Sequence, residues 1–213
     1  MERLAVVILI SGRGSNLKAI IDAADPLVDI RAVISNRPQA QGLTYAEQAG
    51  IPCEIIDHTQ FADRATFDTA LQICINRYQA QLVVLAGFMR ILTPAFIQHY
   101  LGRLINIHPS LLPAFKGLHT HRQALQAGVT EHGATVHFVT PELDSGATIL
   151  QGRVPVYHDD TEEQLAQRVL QIEHQLYPQV IHWFAKRRLC LQGHQVYLDN
   201  QRLNPEDYTI KLL

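Results

Sequence analysis

The chain has 213 residues, of which 47% are hydrophobic and 18% are charged, and its formal net charge is −2. This composition predicts a globular protein with a sizeable core, built as one large domain or two closely packed halves. The small negative charge gives no general attraction to nucleic acids or anionic membranes, so we expect neither as a partner. The three cysteines are widely spaced and form no CxxC pair, which favours a reducing, cytoplasmic location.

The first half of the chain alternates between apolar segments and helical patterns. Leu4–Ile10 is continuously apolar, too short for a membrane span and without the cleavage region of a signal peptide, so it predicts a buried strand. Ser15 is the predicted N-cap of the first helix. The alternation predicts an α/β fold, a Rossmann-like, open and mostly parallel sheet flanked by helices. Further strands are predicted at residues 30–34, 53–56, 82–86 and 104–107, and further helices at residues 43–49 and after Asp63.

The second half begins with a predicted helix at residues 122–127 and two strands at 133–139 and 149–154. The connection between these strands is too short for a crossover helix, which predicts an antiparallel pair. Thr161 and Gln164 form a capping-box pattern that opens a long helix, and Pro178 should kink it. A hairpin is predicted around Gly193, followed by a polar tail that carries no clear signal.

The residues best suited to chemistry lie in the stretch 104–113. Pro109 should end a strand directly after His108. Asn106 is two positions earlier, and that spacing places both side chains on one face of a strand. An amide donor and an imidazole at the end of a strand suit a carbonyl that becomes an oxyanion. A purely structural role fits the two residues equally well, with His108 as a buried histidine and Asn106 as a turn-forming asparagine.

The loop Gly12–Asn16 lies between the first strand and the first helix, where backbone N–H groups favour an anion. A dinucleotide fingerprint would need a third glycine in place of Leu17 and an acidic residue in place of Ser35 or Asn36. The loop therefore predicts a site for a phosphate monoester, and a simple tight turn is the alternative. Arg13 could attract the phosphate or point to solvent.

The 11 histidines raise the question of a metal site. His119 and His121 are two apart in a predicted loop, and no carboxylate completes a familiar ligand pattern, so we predict no metal. His137 lies in a strand and could face a cleft or pack in the core. The roles of these three histidines stay open at this stage.

Asn106, His108, the run Pro109–Pro113 and Asp144 together resemble the signature of the folate-dependent formyltransferases. The segment Ser11–Asn16 narrows the resemblance to the branch that formylates phosphoribosylglycinamide in purine synthesis. The similarity covers most of the chain, from about residue 4 to about residue 184. It implies a single domain over residues 1–213, with a phosphate-binding half at about 1–100, a folate-binding and catalytic half at about 101–190, and a C-terminal hairpin and tail.

The resemblance also implies a reaction and a set of roles. The amine of phosphoribosylglycinamide would directly attack the formyl group of 10-formyltetrahydrofolate, the co-substrate, and no metal is needed. Asn106 and His108 would hold the oxyanion, while Asp144 would favour the imidazolium form of His108 and assist proton transfer. The implied residues for phosphoribosylglycinamide are Gly14, Ser15, Asn16 and Glu173. The implied folate-binding residues are Arg64, Met89, Arg90, Ile91, Leu92 and Asn106.

Several alternatives accompany these expectations. Taken alone, Asp144 fits a structural turn residue, and Arg64, Arg90 and Glu173 fit ordinary surface charges. Methionyl-tRNA formyltransferase should carry an additional RNA-binding domain, and formyltetrahydrofolate deformylase should carry a regulatory domain before the first glycine loop. A nucleotide-binding regulator would not need the Asn–His–Asp set. The partners we expect are small molecules, with the protein a monomer or a homodimer.

Overall fold

The computed structural model consists of two units, Met1–Asn106 and Ile107–Leu213. Strands and helices alternate through the first unit. The structure describes residues 2–204 and 209–211. The elements of the first unit are β1 (Leu4–Ile10), α1 (Ser15–Asp22), β2 (Val28–Ser35), α2 (Leu43–Gln48), β3 (Cys53–Ile55), α3 (Arg64–Arg77), β4 (Leu82–Leu85), α4 (Pro94–His99) and β5 (Leu104–His108), whose last two residues belong to the second unit. This order confirms the predicted α/β alternation.

The strands of the first unit have the order β5-β4-β1-β2-β3, and all of their pairings are parallel. β1 lies in the middle, and its residues Ala5 to Ile10 are buried, as the continuous apolar run predicts. Apolar side chains of the helices pack on the same core, with Leu17 of α1 and Leu71 of α3 both at 0% exposure. β1 and β4 are each followed by a segment predicted to bind a ligand, Gly12–Asn16 after β1 and Met89–Leu92 after β4.

The predicted N-cap of α1 is wrong. Ser15 is the first residue of the helix, and Gly14 is the N-cap, in the left-handed conformation with φ 74 and without a side-chain cap. Glycine adopts this conformation without strain. A Cβ on Gly14 would also lie 2.5 Å from the Cα of Gly42, so no other residue fits here without a shift of the backbone. The close approach of two glycines therefore sets where the helix begins.

The second unit contains α5 (Thr120–Ala127), β6 (Glu131–Phe138), β7 (Thr148–Pro155), α6 (Glu162–Ala185), β8 (Leu189–Gln192), β9 (Gln195–Leu198), β10 (Gln201–Arg202) and β11 (Thr209–Lys211). β6 and β7 pair antiparallel, which confirms the prediction from their short connection. β11 lies on the other side of β7 and pairs with it in parallel. The sheet is thus mostly parallel and flanked by helices, as predicted for the fold class.

The long helix α6 begins with the predicted capping box, because Thr161 Oγ1 accepts the N–H of Gln164 and the Gln164 side chain accepts the N–H of Thr161. The helix continues through Pro178, and the kink there stays a prediction. β8 and β9 form the predicted hairpin around Gly193. Part of the polar tail, residues 205–208 and 212–213, lies outside the described residues. The domain boundaries drawn from the sequence also stay a prediction.

Candidate active site

His108 and Asp144 form a buried pair in the second unit. His108 is the last residue of β5, and Asp144 lies in the turn between β6 and β7. Oδ2 of Asp144 is 3.4 Å from Nδ1 of His108, and the two side chains are 7% and 8% exposed. The interaction is therefore largely removed from water, where charge interactions are stronger than at the surface.

The local sequence explains how this pair is presented. Pro109 cannot donate a backbone hydrogen bond, so β5 ends directly after His108. Asp144 has φ 47, in the left-handed region that aspartate tolerates better than most residues. A Cβ on Gly146 would lie 1.7 Å from the carbonyl oxygen of Phe138, so only glycine fits beside the end of β6. These features fix the turn that carries Asp144.

Asp144 has two further neighbours. Its Oδ2 accepts the backbone N–H of Gly117 at 2.9 Å. Nε2 of His137 lies 3.9 Å from Oδ1 of Asp144, and Nδ1 of His137 donates to the carbonyl oxygen of Phe138 at 2.9 Å. Burial lowers the pKa of His137, which favours its neutral form. His137 is therefore a buried neighbour of Asp144, a placement that the sequence left open.

His108 has a hydrogen-bond acceptor at each ring nitrogen. Nε2 is 3.0 Å from the carbonyl oxygen of Phe115, and Nδ1 faces the Asp144 carboxylate. The two contacts together hold the imidazole ring in one orientation. Asn106, the last residue of the first unit, is half-buried in β5 and has the spacing from His108 that places both side chains on one face of the strand.

Two buried polar residues that sequence reasoning missed fasten the turn after His108. Oγ1 of Thr135 donates to the carbonyl oxygen of Ser110 at 2.7 Å and accepts the N–H of Leu112 at 3.1 Å. Nε2 of Gln151 donates to the carbonyl oxygen of Leu112 at 2.9 Å and to Oγ1 of Thr135 at 3.0 Å. The available signal was local, since Thr135 stands between Ala134 and Val136, and Gln151 directly follows Ile149 and Leu150.

Glu173 lies on the buried face of α6 and is 7% exposed. Tyr177 follows one turn later and is 0% exposed. Burial, together with the charge of Glu173, raises the pKa of Tyr177 well above its ordinary value. An ordinary solvated surface charge, the alternative that the sequence left for Glu173, is therefore excluded by its burial.

The predicted phosphate loop lies in the first unit. Ser15 and Asn16 are the first two residues of α1, so their backbone N–H groups belong to the helix N-terminus, which favours anions. The N–H of Gly42 donates to the carbonyl oxygen of Gly12 at 2.9 Å and holds the loop from the side. Asn16 is buried, and Arg13 is exposed. The loop is a strand-to-helix turn whose last residues form the N-terminus of α1.

The residues predicted to bind folate in the first unit differ in exposure. Met89 and Ile91 are 59% and 64% exposed, whereas Leu92 is buried at 5%. The guanidinium of Arg90 lies 5.9 Å from the centre of the Phe67 ring. Arg64 is the exposed first residue of α3. Segment 88–93 thus combines two exposed apolar side chains, Met89 and Ile91, with the buried side chain of Leu92.

Three further residues, to which the sequence analysis gave no role in folate binding, hold segment 88–93 in place. The N–H of Met89 donates to Oγ of Ser11 at 2.7 Å, and the Ser11 hydroxyl donates to Oδ1 of Asn36 at 2.6 Å. The N–H of Thr93 donates to Oδ2 of Asp68 at 2.6 Å. Asp68 is 3% exposed, and a carboxylate on the apolar face of α3 was the signal that could have revealed it.

The remaining histidines of interest surround α5. His119 is its N-cap, with φ 58. The rings of His121 and His132 are 5.3 Å apart in an edge-on contact. Burial, followed by the charge of His121, lowers the pKa of His132 to about 4. Over residues 2–204 and 209–211, no group of three or more His, Cys, Asp or Glu side chains is placed to hold a metal ion, and no helix is long and apolar enough to cross a membrane.

Comparison with known proteins identifies the family. Residues 4–181 match the model of the formyl transferase family. The chain is 53% identical over 206 residues to phosphoribosylglycinamide formyltransferase of Escherichia coli (strain K12), covering 95% of this chain and 97% of that one. It is 45% identical over 187 residues to the human trifunctional purine biosynthetic protein adenosine-3, covering 86% of this chain and 18% of that protein.

Solved structures give the same result for the fold. The structure of phosphoribosylglycinamide formyltransferase from Coxiella burnetii in complex with CHES superimposes with a TM-score of 0.94, at 51% sequence identity, over 98% of this chain and 100% of that one. The fold is thus that of a formyltransferase, a transferase enzyme. The chain belongs to the formyl transferase family and, within it, to the phosphoribosylglycinamide formyltransferases of purine biosynthesis. This confirms the resemblance found in the sequence.

Proposed function

We propose that this chain transfers the formyl group of 10-formyltetrahydrofolate to the amine of phosphoribosylglycinamide, and that Asn106, His108 and Asp144 carry the chemistry. The observation that carries the proposal is the buried contact between His108 and Asp144 at 3.4 Å. A carboxylate at this distance can hold the imidazole ring in a fixed orientation, and a donor fixed in advance stabilises an oxyanion best.

The proposed reaction needs no covalent enzyme intermediate. The neutral amine attacks the formyl carbon, a C–N bond forms, and the carbonyl electron pair moves to the oxygen. Asn106 donates its side-chain N–H and His108 a ring N–H to this oxyanion, which is stabilised most when the donors are fixed in advance. The intermediate then collapses, the C–N10 bond breaks, and N10 of tetrahydrofolate takes up a proton equivalent to the one that the attacking amine loses. Asp144 assists this proton transfer, directly or through water.

The remaining roles follow the same proposal. Gly14, Ser15 and Asn16 bind the substrate phosphate through the N-terminus of α1, and Glu173 binds near its glycinamide amine. The support is the position of the loop at the N-terminus of α1, where backbone N–H groups favour anions, and the burial of Glu173, which is unusual for a surface carboxylate. The folate lies against Arg64, Met89, Arg90, Ile91, Leu92 and Asn106. We infer that the enzyme acts on small molecules without nucleic-acid or membrane partners, works without a metal, is cytoplasmic, and is a monomer or homodimer.

A formyl-transfer assay tests the proposal. Purified protein is mixed with 10-formyltetrahydrofolate and phosphoribosylglycinamide, and formylglycinamide ribonucleotide and tetrahydrofolate are quantified together. We expect equal amounts of both products. Tetrahydrofolate and formate in the absence of the amine acceptor would instead indicate a deformylase, and ligand binding without any product would indicate a non-catalytic nucleotide-binding protein.

A further inference from the structure

Ser11 belongs to both of the proposed ligand-binding segments of the first unit. It is the residue directly before the phosphate loop Gly12–Asn16. Its side chain contacts segment 88–93, against which we place the folate. Ser11 is only 2% exposed, so a ligand has little access to it, and any effect of this residue on binding must act through its neighbours.

Two hydrogen bonds of Ser11 shape the turn that follows β4. Its backbone N–H donates to the carbonyl oxygen of Gly87 at 3.2 Å, and its Oγ accepts the N–H of Met89 at 2.7 Å. Gly87 has φ 76, in the left-handed region, so the chain changes direction at this residue. Ser11 therefore holds the turn at Gly87 and again two residues later, and it sets the path on which Met89 leaves the strand.

The hydroxyl of Ser11 is itself held in one orientation. A backbone N–H can only donate, so Oγ accepts from Met89 and directs its own proton at Oδ1 of Asn36, which lies 2.6 Å away. Asn36 is 1% exposed. Its carbonyl oxygen accepts the backbone N–H of His58 at 3.4 Å and lies 2.9 Å from Nδ1 of the same residue. The position of Met89 thus depends on a hydroxyl group that both donates and accepts.

The phosphate loop has a separate support. The N–H of Gly42 donates to the carbonyl oxygen of Gly12 at 2.9 Å, and a Cβ on Gly14 would lie 2.5 Å from the Cα of Gly42. These contacts use backbone atoms and need no hydroxyl group. Loss of the Ser11 hydroxyl should therefore release Met89 and leave the loop in place.

Resting on the proposed function, we propose that Ser11 is a positioning residue for the formyl donor. Its hydroxyl keeps the backbone at Met89 in the form that binds 10-formyltetrahydrofolate, and it does so from the first step of the loop that binds the other substrate. Without this hydroxyl the N–H of Met89 loses its acceptor, and the segment leaves its binding form more often. The apparent affinity for the donor then falls with the fraction of enzyme that holds this form.

The first measurement is amide hydrogen exchange of the ligand-free protein. In Ser11→Ala the Met89 amide should exchange roughly three- to tenfold faster than in the wild type, the range expected for the loss of one hydrogen bond. Ser11→Thr keeps a hydroxyl and should restore slow exchange. Ile8→Val removes a methylene group from a fully buried residue of β1, so it is the matched control for a general loss of stability.

The second measurement is calorimetric binding of each ligand by itself. Ser11→Ala should bind 10-formyltetrahydrofolate roughly three- to tenfold more weakly than the wild type, with unchanged affinity for phosphoribosylglycinamide. In the formyl-transfer assay, the KM for the donor should rise while the KM for the amine substrate stays at its wild-type value. Ser11→Thr should recover both donor values. A residue that only stabilises the fold would not separate the two substrates in this way.

The outcomes also separate this inference from the proposed function. Unchanged Met89 exchange or unchanged donor affinity in Ser11→Ala would overturn the inference, as would an equal loss of affinity for both ligands or an equal effect of Ile8→Val. If the added methyl group lowers the melting temperature of Ser11→Thr, Ser11→Ala and Ile8→Val decide between them. If wild-type protein binds both ligands but forms no formylglycinamide ribonucleotide, the proposed function fails, while exchange and binding still decide the role of Ser11.

Discussion

Gly14 and Gly42 touch through their backbones at the start of α1, so closely that a Cβ added to Gly14 would lie 2.5 Å from the Cα of Gly42. Residues 28 positions apart therefore fix the loop that we propose binds phosphate. The N–H of Gly42 also donates to the carbonyl oxygen of Gly12 at 2.9 Å, within the same contact. A side chain at position 14 cannot be accommodated without moving one of the two backbones.

Gly14→Ala should therefore lower the free energy of unfolding by about 2 kcal/mol or more, from the positive φ and the overlap together. Gly12→Ala is the matched control in the same loop, because a Cβ on Gly12 meets nothing within 4 Å. Denaturant unfolding of both variants provides the comparison. Equal stability of the two would show that the glycine contact is not a constraint.

Asn106→Ala and His108→Ala should each lower kcat about a hundredfold or more, because each removes one donor to the oxyanion. The KM values should change far less than kcat, since the lost interaction forms mainly in the transition state. His194→Ala, at an exposed position in the β8–β9 turn, is the control and should keep wild-type activity. Near wild-type kcat in either active-site variant would remove that residue from the oxyanion site.

Asp144→Asn keeps the shape of the side chain but removes the charge that faces Nδ1 of His108 at 3.4 Å. We expect kcat to fall by roughly a hundredfold, because proton transfer loses the carboxylate that assists it. Asp159→Asn at an exposed position is the charge-matched control. Steady-state rates of both variants test this prediction. Equal rates would show that Asp144 takes no part in the reaction.

Much of the fold could be predicted from the sequence, because hydrophobic periodicity and the positions of glycine, proline and capping residues indicate local structure. The run Leu4–Ile10 gave a strand with the observed bounds, and Thr161 with Gln164 gave the observed start of α6. The cap of α1 was assigned wrongly because the cap depends on Gly42, a partner distant in the chain. Capping preferences consider only the residues next to the start of a helix, so they favour the serine and do not take account of a contact with a distant residue.

The same distinction applies to the site. Asn106 and His108 could be paired from their spacing, because alternation along a strand is a local property. The contact of Asp144 with Gly117 and the bonds of Thr135 to the turn after His108 depend on tertiary packing. Asp68 illustrates the limit, because its place on the apolar face of α3 could be noticed in the sequence, while its bond to the N–H of Thr93 depends on the fold.

Ser15→Asp tests the phosphate loop. Aspartate is favourable in the first turn of a helix, so the melting temperature should stay close to that of the wild type. The carboxylate would repel the dianionic phosphate, and phosphoribosylglycinamide affinity should fall at least tenfold. Ser15→Asn is the neutral control of similar size, and 10-formyltetrahydrofolate affinity should change little in both. Binding isotherms for each ligand give the result, and unchanged phosphoribosylglycinamide affinity in Ser15→Asp would leave the loop a structural turn.

The buried imidazole of His132 should make the protein less stable in mild acid. His132 is 1% exposed, and burial, followed by the charge of His121, lowers its pKa from 6.5 to about 4. Above pH 6.5 the ring is neutral in both the folded and the unfolded chain, so it has no effect on the pH dependence there. Between pH 6.5 and 4 the unfolded chain binds a proton that the folded chain does not, and stability falls as the pH falls.

A shift of this size corresponds to about 3 kcal/mol lost by pH 4. His132→Gln cannot titrate, so its free energy of unfolding should decline less steeply over this range, even if the variant is less stable at pH 7. A residual decline is expected because burial also lowers the pKa values of His121 and His137. Urea unfolding of wild type and variant at pH 7, 6, 5 and 4 measures the two slopes. Parallel curves would mean that His132 takes up its proton in the folded protein as readily as in the unfolded chain.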